Sequence, residues 1–177
     1  MLNGIPNIFG KYQTLNTKNV LLLLSSRDLY YLMLHLRLST TWYSTQLIEI
    51  FSYENPSEVV TNSKKIFKQI SKNVIVYNLH NLFSQERIFV ISQDLDNSSS
   101  QLKSVSELFA NANWLERETS EMSGVNFLMK KDTRNLLLTY GDSSNPLRKS
   151  NPSIGFKEIF FDSNSDSLIQ TPLTVQL

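Results

Sequence analysis

"NVIVYNLHNLFSQERIFVISQDL", residues 73–95, decides the architecture. Two runs rich in Val, Ile, Tyr and Phe flank the short polar connector "SQE". β-Branched and aromatic residues fit a pleated, half-buried surface, so each run reads as a strand and the pair as a hairpin. Upstream, "NVLLLLSS" (19–26) reads as a short buried strand. In "SRDLYYLMLHLRLS" the residues Leu29, Leu32, Met33 and Leu36 recur at helical spacing, with Ser25 or Ser26 placed to cap the start. "TTWYSTQLIEIFSYE" (40–54) is strand-like by composition, with Trp42, Ser44, Gln46, Ile48 and Ile50 on one face. Residues 57–72 fit either a helical turn or a lead-in to the next strand.

Beyond the hairpin, "DNSSSQ" (96–101) is a polar loop. "SVSELFANA" (104–112) has Val105, Leu108, Phe109 and Ala112 at helical spacing, and "NWLERETSEMSG" (113–124) reads as a second helix. The order is strand, helix, three strands, paired helices. It predicts an α+β fold of mostly antiparallel sheet with helices packed on one face. The predicted division is an N-terminal segment (1–19), an α+β domain (20–141) and an extended C-terminal tail (142–177). From Asp142 the periodicity stops and proline and glycine punctuate the chain. Phe156, Ile159, Phe160, Phe161, Leu168 and Ile169 in that tail are costly to leave in water. They either fold back or lie on another protein.

Composition narrows the chemistry. The 177 residues are 41% hydrophobic with a formal net charge of +1. That supplies a core for one domain but not the basic excess typical of a nucleic-acid binder. There is no cysteine, so disulfides and thiolate-ligated zinc or iron–sulfur centres within this chain are excluded. His35 and His80 stand singly in apolar stretches, without metal-ligand spacing. No run reaches the ~18 apolar residues of a membrane helix. The first nineteen residues lack a compact signal-peptide core; Lys11 and Lys18 without acids leave room for a weak organelle presequence.

The densest charge lies in "NWLERETSEMSG". Taken with Asn113 as N-cap, Glu116 falls at the capping-box position, Arg117 and Glu121 are spaced to pair, and Gly124 ends the helix. Glu118 borders the apolar side with Trp114, Leu115 and Met122, where a carboxylate needs a partner. Acid/base catalysis would need carboxylates facing each other across a cleft, whereas Glu118 and Glu121 are neighbours on one surface. Nucleophile-elbow, phosphate-loop, dinucleotide and zinc-protease motifs are missing from the sequence.

"NWLERETSEMSGVNF", then "DTRNLLLTYG" and "NPLRKSNPSIGF", resemble the C-subunit family of NADH:ubiquinone oxidoreductase (respiratory complex I), subunit nine in mitochondrial genomes. That family carries W-x-E-R-E-x-x-D-M-x-G-[IV]-x-F, then H-P-D-L-R-R, Y-G and G-H-P-L-R-K-D-x-P-x-x-G. Trp114, Glu116, Arg117, Glu118, Met122, Gly124, Val125 and Phe127 fall in place without a gap, and so do Asp132, Arg134, Leu137, Tyr140, Gly141, Pro146, Leu147, Arg148, Lys149, Pro152 and Gly155. Glu121 replaces an aspartate, Lys130 and Lys131 stand where the family has His-Pro, and Asn145 replaces a histidine.

The resemblance implies a cofactor-free core subunit of the peripheral arm, itself non-catalytic, on the matrix side of the mitochondrial inner membrane. It implies hetero-oligomeric docking on the large quinone-site subunit, with the C-terminal segment wrapping along it. The candidate interface is Glu116, Arg117, Glu118, Glu121, Arg134, Pro146, Arg148, Lys149, Phe156, Phe160 and Phe161. The rival reading is an RNA-binding organellar ribosomal-type α+β protein, suggested by Lys130, Lys131, Arg134, Arg148, Lys149 and Lys157 around Tyr140.

Overall fold

The computed structural model describes residues 11–16, 19–24, 28–39, 45–59, 68–93 and 101–173. Strands β1 (Lys11–Asn16) and β2 (Asn19–Leu24) precede helix α1 (Leu29–Leu38). Strands β3 (Thr45–Val59), β4 (Lys68–Asn81) and β5 (Glu86–Gln93) follow. A five-stranded sheet runs in the order β1-β2-β5-β4-β3, antiparallel except where β2 meets β5. The expected hairpin is β4–β5, closed by a turn in which the Asn81 carboxamide oxygen accepts the amides of Phe83 and Ser84. The sheet begins at Lys11, inside the stretch assigned from sequence to an N-terminal segment.

One face of the sheet carries Leu47, Ile50, Ile75, Tyr77, Leu79, Ile88 and Val90. Against it α1 lays Leu29, Leu32, Met33 and Leu36, all fully buried. Their i, i+3, i+4, i+7 spacing gives one apolar stripe, and each such side chain removed from water contributes ~1.5–3 kcal/mol. The N-cap position of α1 is Asp28, whose carbonyl accepts the Leu32 amide; Ser25 and Ser26 lie outside the described residues. A β-bulge between Leu47 and Glu49 inserts Ile48 as an extra, exposed residue. The bulge shifts the phase of β3, so Leu47 and Ile50 point inward while Gln46 and Ile48 do not.

The helix expected over 104–112 does not form before Ala112. Residues 104–111 are turns and irregular backbone, with the amides of Leu108 and Phe109 both on the Val105 carbonyl. The Val105 amide donates to Glu116 and the Ser106 amide to Ser104 Oγ. Val105 and Phe109 still reach the core. Strand β6 (Gln101–Lys103) begins inside the expected polar loop and pairs in parallel with β7 (Asn126–Leu128). Between them lies α2 (Ala112–Ser123). The tail is not wholly extended: β8 (Lys157–Asp162) and β9 (Ser167–Pro172) pair as an antiparallel hairpin. The architecture is α+β with mostly antiparallel strand pairs.

Candidate functional site

Helix α2 inverts the usual amphipathic arrangement. Its buried residues are Ala112, Glu116, Arg117, Thr119, Glu121 and Ser123, whereas Trp114 is 62% exposed. The inversion follows from position. α2 packs on β3, the border strand of the sheet, where backbone groups lack a neighbouring strand. Asn111 Nδ2 donates to the Leu47 carbonyl at 2.6 Å. Thr119 Oγ1 donates to Leu115 O at 2.7 Å and lies 3.4 Å from Ile50 O, and Ser52 Oγ donates to Ser123 Oγ at 2.6 Å. Polar side chains are what a strand border can use.

The N-cap is Asn111 rather than Asn113, and its side chain makes no capping bond. The capping-box reading of Glu116 is therefore replaced. Glu116 is fully buried and accepts from Ser104 Oγ (2.7 Å), the Val105 amide (2.8 Å) and Lys130 Nζ (3.0 Å). Lys130 Nζ also donates to the carbonyl (2.9 Å) and side-chain oxygen (3.2 Å) of Asn113, so its three protons are used. Tyr77 lies in the same interior; burial pushes its phenol well above the usual value, and the Glu116 charge adds to the shift.

Arg117 and Glu121 do not pair with each other. Arg117 donates to the carbonyls of Arg134 (2.8 Å) and Asn135 (3.0 Å), and its Nη1 is 3.5 Å from Asp132. Glu121 accepts the amides of Leu136 (2.9 Å), Leu137 (2.7 Å) and Leu138 (3.3 Å). Three side chains on α2 thus hold one irregular segment, 130–138. A buried charge needs such partners, and each bond to it contributes ~1.5–3 kcal/mol. Asp132 takes both a backbone and a bidentate guanidinium bond from Arg134. With Arg117 nearby, these bonds hold its carboxyl far below the ordinary carboxylate range.

Gly124 closes α2 in the left-handed conformation (φ 70°), as its identity suggests. A Cβ there would overlap the Arg148 guanidinium. Arg148 donates to the carbonyls of Ser123 (3.2 Å) and Gly124 (3.3 Å), a cation on the negative end of the helix. The Leu147 amide donates to Met122 O (2.9 Å) and the Lys149 amide to Glu54 (2.7 Å). Residues 145–149 are therefore a strap across the end of α2 onto β3.

The expected interface set divides accordingly. Glu116, Arg117 and Glu121 face inward and bond within the chain. Glu118 is exposed rather than at the apolar border. Arg134, Pro146, Arg148 and Lys149 are exposed at the surface of the strap and the 130–138 segment. Phe156 (59%), Phe160 (47%) and Phe161 (60%) are exposed on and beside the β8–β9 hairpin, with Ile159 and Leu168. A cleft of about 760 Å³ runs between the hairpin and residues 139–156, lined by Tyr140, Pro146, Pro152, Phe156 and Ile159 among others. Sequence spacing does not mark Ser104 and Lys130 as partners of Glu116. Their donors and the Val105 amide hold the Glu116 carboxylate inside the chain.

The respiratory-chain NADH dehydrogenase 30 kDa subunit model matches residues 22–157. The chain belongs to this family. A family member from Paramecium primaurelia, named NADH-ubiquinone oxidoreductase subunit 9, is 38% identical over 120 residues, covering 67% of this chain and 56% of that protein. NADH dehydrogenase [ubiquinone] iron-sulfur protein 3 of Arabidopsis thaliana is 32% identical over 145 residues, covering 82% of this chain and 70% of that protein. NADH-ubiquinone oxidoreductase subunit 9 of Acanthamoeba castellanii is 36% identical over 106 residues, covering 60% of this chain and 52% of that protein. The chain thus spans about half the length of several of these relatives. A chain of the membrane-bound sulfane sulfur reductase, an archaeal respiratory membrane complex, shares the fold with a TM-score of 0.64 at 15% identity, covering 84% of this chain and 79% of that one.

Proposed function

We propose that this chain is a structural subunit of the peripheral arm of a mitochondrial NADH:ubiquinone oxidoreductase. It docks on the quinone-site subunit from the matrix side of the inner membrane and supports assembly, while flavin, iron–sulfur clusters and the redox steps belong to other subunits. One observation carries the docking: the β8–β9 hairpin holds Ile159, Phe160, Phe161 and Leu168 between 47% and 74% exposed. Isolated two-stranded hairpins are marginal in water, and an apolar one on a surface marks an interaction site. The strap fixes where the hairpin leaves the domain; Phe156 and Tyr140 extend its apolar surface along the cleft. Family membership supplies the kind of assembly. Three of the six cations that suggest an RNA partner are paired within the chain: Lys130 with Glu116, Arg134 with Asp132, Arg148 with the end of α2.

Truncation after Gly155 tests this reading. The expected result is a soluble domain that fails to enter the NADH-oxidising assembly. Normal incorporation of the truncated chain contradicts hairpin docking.

A further inference from the structure

The border strands of this molecule are not protected alike. A border strand turns every second amide and carbonyl away from its neighbour, a template for pairing with another chain unless something blunts it. In the five-stranded sheet both borders are blunted. β3 carries the bulge between Leu47 and Glu49 and is overlaid by α2, whose Asn111 and Thr119 side chains reach the carbonyls of Leu47 and Ile50. β1 breaks register between Thr14 and Asn16.

The β8–β9 hairpin has no such device along β8. Its pairs, from Lys157 with Pro172 to Asp162 with Ser167, run in unbroken register. Among the described residues, no strand other than β9 pairs with β8. Lys157 to Phe161 are all exposed. β8 contains no proline, and its charges stand only at its ends. Of these, Glu158 accepts from Thr171 Oγ1 at 3.3 Å, so its carboxylate turns toward β9 rather than over the outer border. Between the charges Ile159, Phe160 and Phe161 alternate across the sheet, so both faces are apolar at this border. β9 is the poorer template. It ends in Pro172, which has no amide proton, and its Ile169 and Thr171 are partly buried.

We propose that a β-strand of a neighbouring subunit adds to the free border of β8, completing a three-stranded sheet across the two chains. A helix or a flat surface would cover one face of the hairpin and leave the other face and the border amides in water. A strand bonds those amides and sets its own alternating side chains beside Phe160 on one face and beside Ile159 and Phe161 on the other. The occupant is thus an extended segment, apolar at successive positions and free of proline opposite Ile159–Phe161. This inference rests on the docking reading above and specifies how that docking is made.

The test is amide hydrogen exchange, read residue by residue along β8, with hydroxyl-radical labelling of Phe160 and Phe161. Both are measured in the purified NADH-oxidising complex and in the free full-length chain. A hairpin alone protects every second amide of β8. The expected result is slow exchange at all of Glu158–Phe161 in the complex, the outward amides slowed roughly tenfold or more relative to the free chain. Fast exchange at alternate amides in the complex, with Phe160 and Phe161 covered, overturns strand addition and leaves docking intact. Fast exchange with both side chains labelled as in the free chain overturns docking as well. Slow exchange at all four amides in the free chain, with two copies per particle, makes the occupant a second copy and overturns the proposal. If the chain is missing from the complex, the subunit reading fails and this inference falls with it.

Discussion

Helices α1 and α2 border the same core and are built by opposite rules. α1 buries Leu29, Leu32, Met33 and Leu36 against the middle of the sheet and needs no specific partner. α2 buries Thr119 and Ser123 at the border strand and Glu116, Arg117 and Glu121 against residues 104–105 and 130–138, and each of these groups has a named donor or acceptor. The first tolerates substitution by volume. The second is a network in which removing one member strands another. A charge-rich helix is thus no sign of a solvent or partner face by itself.

The largest expected effect breaks the network. Lys130→Met leaves Glu116 buried without its counter-ion and should cost on the order of 3–5 kcal/mol, read by denaturant unfolding of the full chain. Glu116→Gln in the same chain should recover most of that loss. Leu32→Ala in α1, a cavity in an apolar stripe, should cost ~2–5 kcal/mol with no such rescue by a partner substitution. A K130M loss that E116Q leaves unchanged would contradict the network.

Gly124→Ala comes next. A left-handed alanine costs ~1–2 kcal/mol, and its methyl would displace Arg148 from the end of α2. Adding Arg148→Ala should relieve the collision but not the backbone strain, leaving a smaller combined loss than the sum. Additive losses would mean that Arg148 does not cap the helix.

On the outer face, Glu118→Lys should change stability within ~0.5 kcal/mol, as expected for an exposed site. The same change should reduce incorporation into the assembly. Loss of domain stability instead would place Glu118 in the internal network.

The smallest effect concerns acid. The Asp132 carboxyl is depressed by Arg134 and Arg117. Its stabilisation is therefore full above the unfolded carboxylate value near ~4 and is lost as pH falls through the lower folded value. Asp132→Asn should flatten the decline in stability below about pH 4. An unchanged acid limb would show that this ion pair does not contribute.

The α1 region is legible in the sequence because burial there follows a hydrophobic period. The β4–β5 hairpin is legible for a related reason, from its runs of Val74, Val76, Ile88 and Val90. The α2 region is not. Its periodicity marks Trp114, Leu115 and Met122, yet Trp114 faces solvent and the opposite, charged side is buried. Only the ordered match of Glu116, Arg117 and Gly124 to a family pattern flags the segment. That match does not reveal which way each side chain points. The turns at 104–111 read as a helix because Val105, Phe109 and Ala112 keep helical spacing, while the Val105 amide donates to Glu116, eleven residues on. Ile48 likewise hides a bulge that no composition marks.

Inward charges build the domain, and the role proposed for its outward apolar hairpin is to join it to a respiratory assembly. Native-gel separation of mildly solubilised mitochondrial membranes tests this most directly, with the chain detected and NADH oxidation stained in the same lane. The expected result is comigration of the chain with the large NADH-oxidising band. Migration as a free small protein or with ribosomal particles would contradict it.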